Sequence, residues 1–232
     1  MIISKSHIMH IGAVIAFFAG ATCNPDEIEE KMMTEFIDEV YFKELSEQDP
    51  IDVCRRALCS YHDTNKFYTV TVWGEPYKIY PHQFKIEYFN DGHAPFNPYL
   101  GLFTVHYLLK AKEIEPVNQW ISEKDILGGS TFFRGPHEIP TDLITASFNC
   151  DIEGFKNKCK ALMGSPLRLA DAAFAFKITP RIPVAVLYWA GDDEFPAESK
   201  ILYDKTIAEQ LASDVIYALA VGICERIGKS TG

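Results

Sequence analysis

The sequence predicts an α+β fold: a single domain in which antiparallel strands are flanked by helices. Three observations lead there. Stretches with helical spacing open and close the chain, and strand-type stretches gather in two clusters, Phe67 to Phe89 and Ala172 to Trp189. No strand–helix–strand alternation, repeat or low-complexity tract connects them. The second cluster contains Val184 to Trp189, whose unbroken apolar run predicts a central strand buried on both faces.

The elements follow in order. From Asp26 to Gln48, Ile28, Met32, Met33, Phe36, Ile37, Val40 and Tyr41 keep helical spacing. Asp49 then caps a second helix, with Pro50 in its first turn, Asp52 near the positive end of its dipole, and Cys54, Ala57, Leu58 and Tyr61 facing inward. Phe67 to Trp73 alternates, Gly74-Glu75-Pro76 turns the chain, Tyr77 to Tyr80 returns, and Gln83 to Phe89 alternates again before Asn90-Asp91-Gly92. Pro98 opens an apolar helix that ends near Lys112, and a linker rich in aromatic residues follows. Pro140 to Phe148 is helical, and Asp151 opens a helix with Ile152, Phe155, Cys159 and Leu162 on one stripe, stopped by Gly164. Ala172 to Ile178 and Val184 to Trp189 pair across Thr179-Pro180. The acids that follow precede a short helix near Pro196, and Ser213 caps a last helix, Asp214 to Ile227.

Residues 1 to 25 stand outside the fold, and residues 26 to 232 form the domain. Ile8 to Phe18 is apolar, Lys5 precedes it and Ala19-Gly20-Ala21 fits a cleavage site, the pattern of an export signal too short for a membrane span. Glu29-Glu30-Lys31 before Met32-Met33 resembles a translated ribosome-binding site, which points instead to a later start. The late start implies a cytoplasmic protein and the signal an exported one.

Lysine plus arginine number 22 against 32 acids, a net charge of −10. Without a basic run, such a chain has no electrostatic footprint for nucleic acid or anionic lipid. The six cysteines form no C-x-x-C pair and no zinc spacing with histidine, so they read as free thiols. Gly228-Lys229-Ser230-Thr231 mimics the end of a phosphate loop but lacks the earlier glycine, and G-x-S-x-G, H-E-x-x-H and G-x-G-x-x-G are absent from the sequence.

The candidate site residues come from a few constellations. Asp192, Asp193 and Glu194, with Asp204, offer oxygen ligands suited to Mg²⁺ or Ca²⁺, or else form a solvated turn. His106 lies in an apolar helix, where it serves as ligand, base or core histidine. Arg134 and Arg181 can clamp an anionic group with their forked guanidinium, or pair internally with Asp171. Trp120 and Trp189, with Trp73, can line a planar-cofactor pocket or simply fill the core.

Taken in order, Asp49-Pro50, L-F-T-V-H-Y-L-L at 102–109, Trp120-Ile121-Ser122, Gly128-Gly129, Phe132-Phe133, Asp171-Ala172-Ala173-Phe174, Pro180-Arg181-Ile182-Pro183, W-x-G-D-D-E-F-P from Trp189 and Ile201-Leu202-Tyr203-Asp204 form a connected set. The chain in this respect resembles the domain-of-unknown-function 3786 family, from about Glu35 to Ile227. The resemblance implies a protein of anaerobic bacteria or archaea without an established activity. It marks His106, Trp120, Arg181, Trp189, Asp192, Asp193, Glu194 and Asp204 as motif residues. Some relatives carry the domain beside a four-cysteine iron–sulfur module, which this chain lacks.

The leading expectation is therefore a non-catalytic accessory protein of anaerobic metabolism that binds a small molecule or cofactor, through His106, Trp120, Arg134, Arg181 and Trp189. A metal-assisted hydrolase using Asp192-Asp193-Glu194 is the first alternative, and a structural partner-binding domain the second. The first two require a concave pocket at the end of the Val184 to Trp189 strand. The third requires an exposed apolar surface instead.

Overall fold

The structure, a computed structural model, describes residues 36–88 and 96–228. The readings for residues 1–35 (an export signal or late start, and the first turns of the Asp26 helix) lie outside them, as does the turn at Asn90-Asp91-Gly92. The described chain is α+β, with eight helices and two antiparallel sheets.

Helix α1 (Glu39–Ser46) begins at Asp38, whose carboxylate accepts from the Val40 N–H at 2.9 Å. Ile37, expected inside, is buried with Phe42 and Leu45, and Phe36 and Tyr41 pack against the core, but Val40, also expected inside, is 42% exposed. Helix α2 (Pro50–Ala57) has the cap and first turn predicted for Asp49 and Pro50. It stops earlier than expected because Leu58 turns left-handed at φ 51°. Leu58 is therefore exposed, and Tyr61 lies on a strand.

The first sheet contains β1 (Ser60–His62), β2 (Phe67–Val72), β3 (Glu75–Tyr80) and β4 (Lys85–Tyr88), paired in sequence order. Its β2–β3 turn falls on Trp73-Gly74, one residue earlier than predicted, and both have positive φ, as a two-residue hairpin turn requires. Tertiary contacts hold Trp73 in that backbone state. Its N–H donates to the Ile178 carbonyl at 2.7 Å, its indole N–H donates to Leu162 at 3.0 Å, and Arg226 lies over the ring.

The later helices are α3 (Pro98–Lys110), α4 (Gly129–Phe132), α5 (Asp142–Phe148), α6 (Ile152–Ala161), α7 (Ile207–Gln210) and α8 (Ser213–Gly228). Helices α3 and α8 are apolar nearly all round, and the two pack together in the core. Gly222 permits the close approach, because a Cβ there would stand 2.9 Å from the Leu100 side chain. Arg226 ties α8 to the first sheet by a two-pronged ion pair with Glu75. In α6 the inward stripe is Phe155 and Cys159, as predicted, but the left-handed residue at its end is Met163 rather than Gly164. Gly164 instead closes the turn with an N–H to Cys159, against Phe176, where a Cβ has no room.

The second sheet has the order β5-β9-β8-β7-β6, from β5 (Trp120–Ile121), β6 (Ser165–Leu167), β7 (Ala172–Thr179), β8 (Ile182–Trp189) and β9 (Glu198–Asp204). The unbroken apolar strand β8 is central, with Val184 to Tyr188 buried on both faces. Strand β9 replaces the short helix expected near Pro196; Glu198 to Asp204 pairs with β8 instead. Alternate residues divide the sheet. Phe174, Phe176, Val184, Val186, Tyr188, Ile201 and Tyr203 face the helices and join the main core, where Phe155 of α6 stacks on Tyr188 at 4.6 Å.

Candidate functional site

The opposite face of the second sheet has a different character. Ala173, Ala185 and Leu187 form a buried floor, and Trp120, Leu167, Ala170, Trp189 and Leu202 stand half-buried around it. Among the described residues, no helix residue belongs to this cluster. The pattern is that of a sheet covered on one side, with aromatic residues left on the other. Two predicted site residues, Trp120 at the sheet edge and Trp189 at the end of its central strand, thus share one face. Trp73 does not join them; it is 2% exposed within the main core.

Arg134 lies elsewhere, at the wall of a cleft of about 560 Å³ between the 123–141 segment and β9. Lys124 and Lys200 line the same cleft, as do Glu123, Glu138 and Glu198, with Phe133 and Ile139 beside them. The mixture of charge and apolar surface suits a polar or peptidic ligand better than a bare anion.

Arg181 is 4% exposed and faces neither feature. Its Nε–H donates to the Arg56 carbonyl at 2.8 Å, at the end of α2. Its Nη1 donates to Glu115 at 2.5 Å and to the Ile114 carbonyl. The expected pair with Asp171 is not formed; the Asp171 carboxylate accepts from the Ala190 N–H at 3.1 Å.

The acidic set is divided. Asp192 folds its carboxylate back onto the N–H groups of Glu194 and Phe195 at 2.9 and 2.7 Å, and these bonds hold it below the usual carboxylate range. Asp193 and Glu194 point to solvent. Asp204 is 1% exposed at the far end of β9, which as extended chain puts it about 20 Å from that turn. Its two oxygens accept from Val117, Asn118 and Thr206 N–H and from the Thr206 hydroxyl. Among the described residues no three histidine, cysteine, aspartate or glutamate side chains converge as a metal site.

His106 is half-buried on α3, its ring 4.2 Å from Tyr41. Burial pushes its imidazole down to about 4, with Asp214 opposing, so it is neutral at pH 7. The described cysteines are free. Cys59 and Cys54 place their sulfurs 3.9 Å apart, and burial pushes both thiols up, which keeps them protonated at neutral pH.

Among the residues not singled out from sequence, Leu167, Leu187 and Leu202 complete the outer face and Lys200 and Glu198 the cleft. The alternation of Glu198-Ser199-Lys200-Ile201-Leu202-Tyr203 carries that information once it is read as a strand. Its polar start and the preceding prolines obscure it.

The order of these elements can be set against known proteins. A family profile described as a domain of unknown function (DUF3786) matches residues 49–226, most of the chain. The chain belongs to the DUF3786 family. The match takes in the full first sheet and, in the second, the tryptophan face and the cleft, so both features are part of the DUF3786 domain itself. No curated protein and no solved structure matches the chain. Among the described residues no helix is long and apolar enough to cross a membrane.

Proposed function

We propose that this DUF3786 protein acts by binding rather than by catalysis, and that a partner protein covers the outer face of its second sheet. The observation that carries this reading is the sharing of one face by Trp120 and Trp189, with Leu167 and Leu202, over the Ala173–Ala185–Leu187 floor, where among the described residues no helix packs. Half-buried tryptophan contributes large apolar area with a polar tip, which is why it is enriched at interfaces. A pleated surface offers no enclosed volume for a small molecule, whereas a broad complementary protein surface fits it. Lys177, Glu198 and Lys200 on that face favour an approaching surface that carries charges of both signs.

The test is affinity purification from the native host, followed by binding measurements with the purified partner. Trp120→Ala/Trp189→Ala should weaken binding at least tenfold, since buried interface tryptophans contribute about 2 kcal/mol or more each. Its melting temperature should stay close to that of the wild type. Undiminished affinity would move the interface elsewhere.

A second reading makes the ligand a small molecule or cofactor of anaerobic metabolism. The cleft beside Arg134, Lys124 and Lys200 favours it. Native mass spectrometry of protein from its host would then show a bound mass that Arg134→Ala loses.

A further inference from the structure

We infer that the free edge of β9 docks one extended peptide segment of a partner protein, which adds a strand to the second sheet. The inference rests on the reading of the chain as a binding protein but uses a different surface from the tryptophan face. Strand β5 covers β9 only at Tyr203 and Asp204. Among the described residues, Glu198 to Leu202 therefore have no neighbouring strand on that side. The Lys205 N–H donates to the Gln119 carbonyl at 2.8 Å, which makes those two a bonded pair. Bonded pairs alternate along an antiparallel ladder. The odd-numbered residues of β9 thus turn their backbone groups toward β5, and the even-numbered ones toward β8. Above the end of β5, this turns the N–H and C=O of Ser199 and Ile201, residues only 7% and 1% exposed, toward the cleft that both line, so the side chains of the cleft must part before a strand reaches them. An unpaired edge of this kind is a template for another strand.

The walls of the cleft select the occupant. The 123–141 segment runs beside the edge and makes it the floor of a trench. A single strand, spaced about 4.8 Å from β9, enters such a trench, while the sheet edge of a second folded copy meets the wall. Side-chain alternation sets the peptide's chemistry. Residues opposite Ser199 and Ile201 point to the buried side, where Phe133 and Ile139 extend the main core. Residues opposite Glu198 and Lys200 point outward. The favoured segment alternates apolar and charged residues, with a base opposite Glu198 and an acid opposite Lys200, two positions apart.

The probe is a library of random ten-residue peptides displayed on phage and selected on the full chain. Selected peptides should show this alternation and should slow hydrogen exchange at the Ser199 and Ile201 amides. Ser199→Pro should bind them at least tenfold more weakly, because proline removes an N–H that β8 does not use. Ser199→Ala should bind as the wild type does, although it loses the hydroxyl bond to the Leu187 carbonyl. If Ser199→Pro does not fold, methylating alternate backbone nitrogens of a selected peptide makes the same test from the other side. Equal binding by Ser199→Pro and wild type, or a library that yields no edge-protecting peptide, overturns the inference. Dimers of the wild type that Ser199→Pro abolishes also overturn it, since the occupant is then a second copy. Trp120→Ala/Trp189→Ala should retain peptide binding, which separates a failure at the edge from one at the tryptophan face.

Discussion

Arg181 and Asp204, 4% and 1% exposed, grip the same connection from opposite ends. Arg181 holds it at Ile114 and Glu115, Asp204 at Val117 and Asn118, and Gln210 adds bonds to Lys112 and Ile114. This connection carries the chain from α3 to Trp120, so these buried polar groups set where one edge of the second sheet begins. A buried guanidinium or carboxylate costs a great deal unless its hydrogen bonds are made, and here they are made mainly to backbone, with the Glu115 carboxylate and the Thr206 hydroxyl adding one each. Both residues look like ligand groups in the sequence because the sequence shows their chemistry but not their partners.

Replacing Asp204 tests this role. Asp204→Ala leaves the Thr206 N–H without its acceptor in a buried site and should cost about 2–3 kcal/mol. The pH dependence follows from the direction of its shift. Burial raises its pKa, but the bonds from Thr206, Val117 and Asn118 outweigh burial and hold it below the usual aspartate range. A depressed folded pKa contributes stability that is full above the unfolded value of about 3.9 and is lost as pH falls through the folded one. Denaturant melts should therefore show Asp204→Asn less stable at pH 7 and flatter than wild type below about pH 4. Parallel curves for the two proteins would remove Asp204 from this account.

The central position of β8 gives a second prediction. Val186 is fully buried, paired with Phe174 on one side and Ile201 on the other. An unpaired carboxylate there faces a penalty of several kcal/mol against a total stability of roughly 5–15. Val186→Asp should give no cooperative melt by circular dichroism. A soluble variant with a sharp transition would mean that the strand is not central.

That strand was legible because burial on both faces writes itself as an unbroken apolar run. Strand β9 was not, because Glu198 and Lys200 face outward while Ser199 bonds inward, leaving an alternation too polar to stand out. Asp49-Pro50 was legible because a cap is a local event. The end of α2 at Leu58 was not, since tertiary contacts hold it: Tyr107 donates to the Ala57 carbonyl and Arg181 to that of Arg56. Of the candidate site, the tryptophans could be named from sequence, but their common face required the register of β5, β9 and β8.

His106 provides a third prediction, again on pH. Its imidazole is pushed down to about 4, chiefly by burial, with Lys110 also lowering it and Asp214 and Glu44 opposing. The unfolded chain, with a value near 6.5, then binds more protons than the native one between those two values. Stability should fall as pH drops from about 6.5 to 4, the sign expected for a histidine kept neutral by burial. His106→Phe, which keeps the ring contact with Tyr41, should flatten that part of the curve. An NMR titration of the His106 ring with a midpoint above 6 would contradict the buried setting.

The acidic turn yields the last prediction. Two backbone N–H groups already occupy one Asp192 oxygen, and that geometry locks a local turn whether or not an ion is present. Asp193 and Glu194 lie in solvent, where water screens their repulsion, and Asp204 is bonded at the other end of β9. A hard dication needs six or more oxygens brought to one point, and among the described residues no three histidine, cysteine, aspartate or glutamate side chains converge here. Calorimetric titration with millimolar Mg²⁺ or Ca²⁺ should give no heat above dilution and no rise in melting temperature. Asp192→Ala should loosen the turn and lower the melting temperature slightly, and the loss should be the same with and without the ion. A melting temperature that climbs with Ca²⁺, and stops climbing in Asp192→Asn/Asp193→Asn, would require the turn to close around a cation, because only binding to the native state raises stability with ligand concentration.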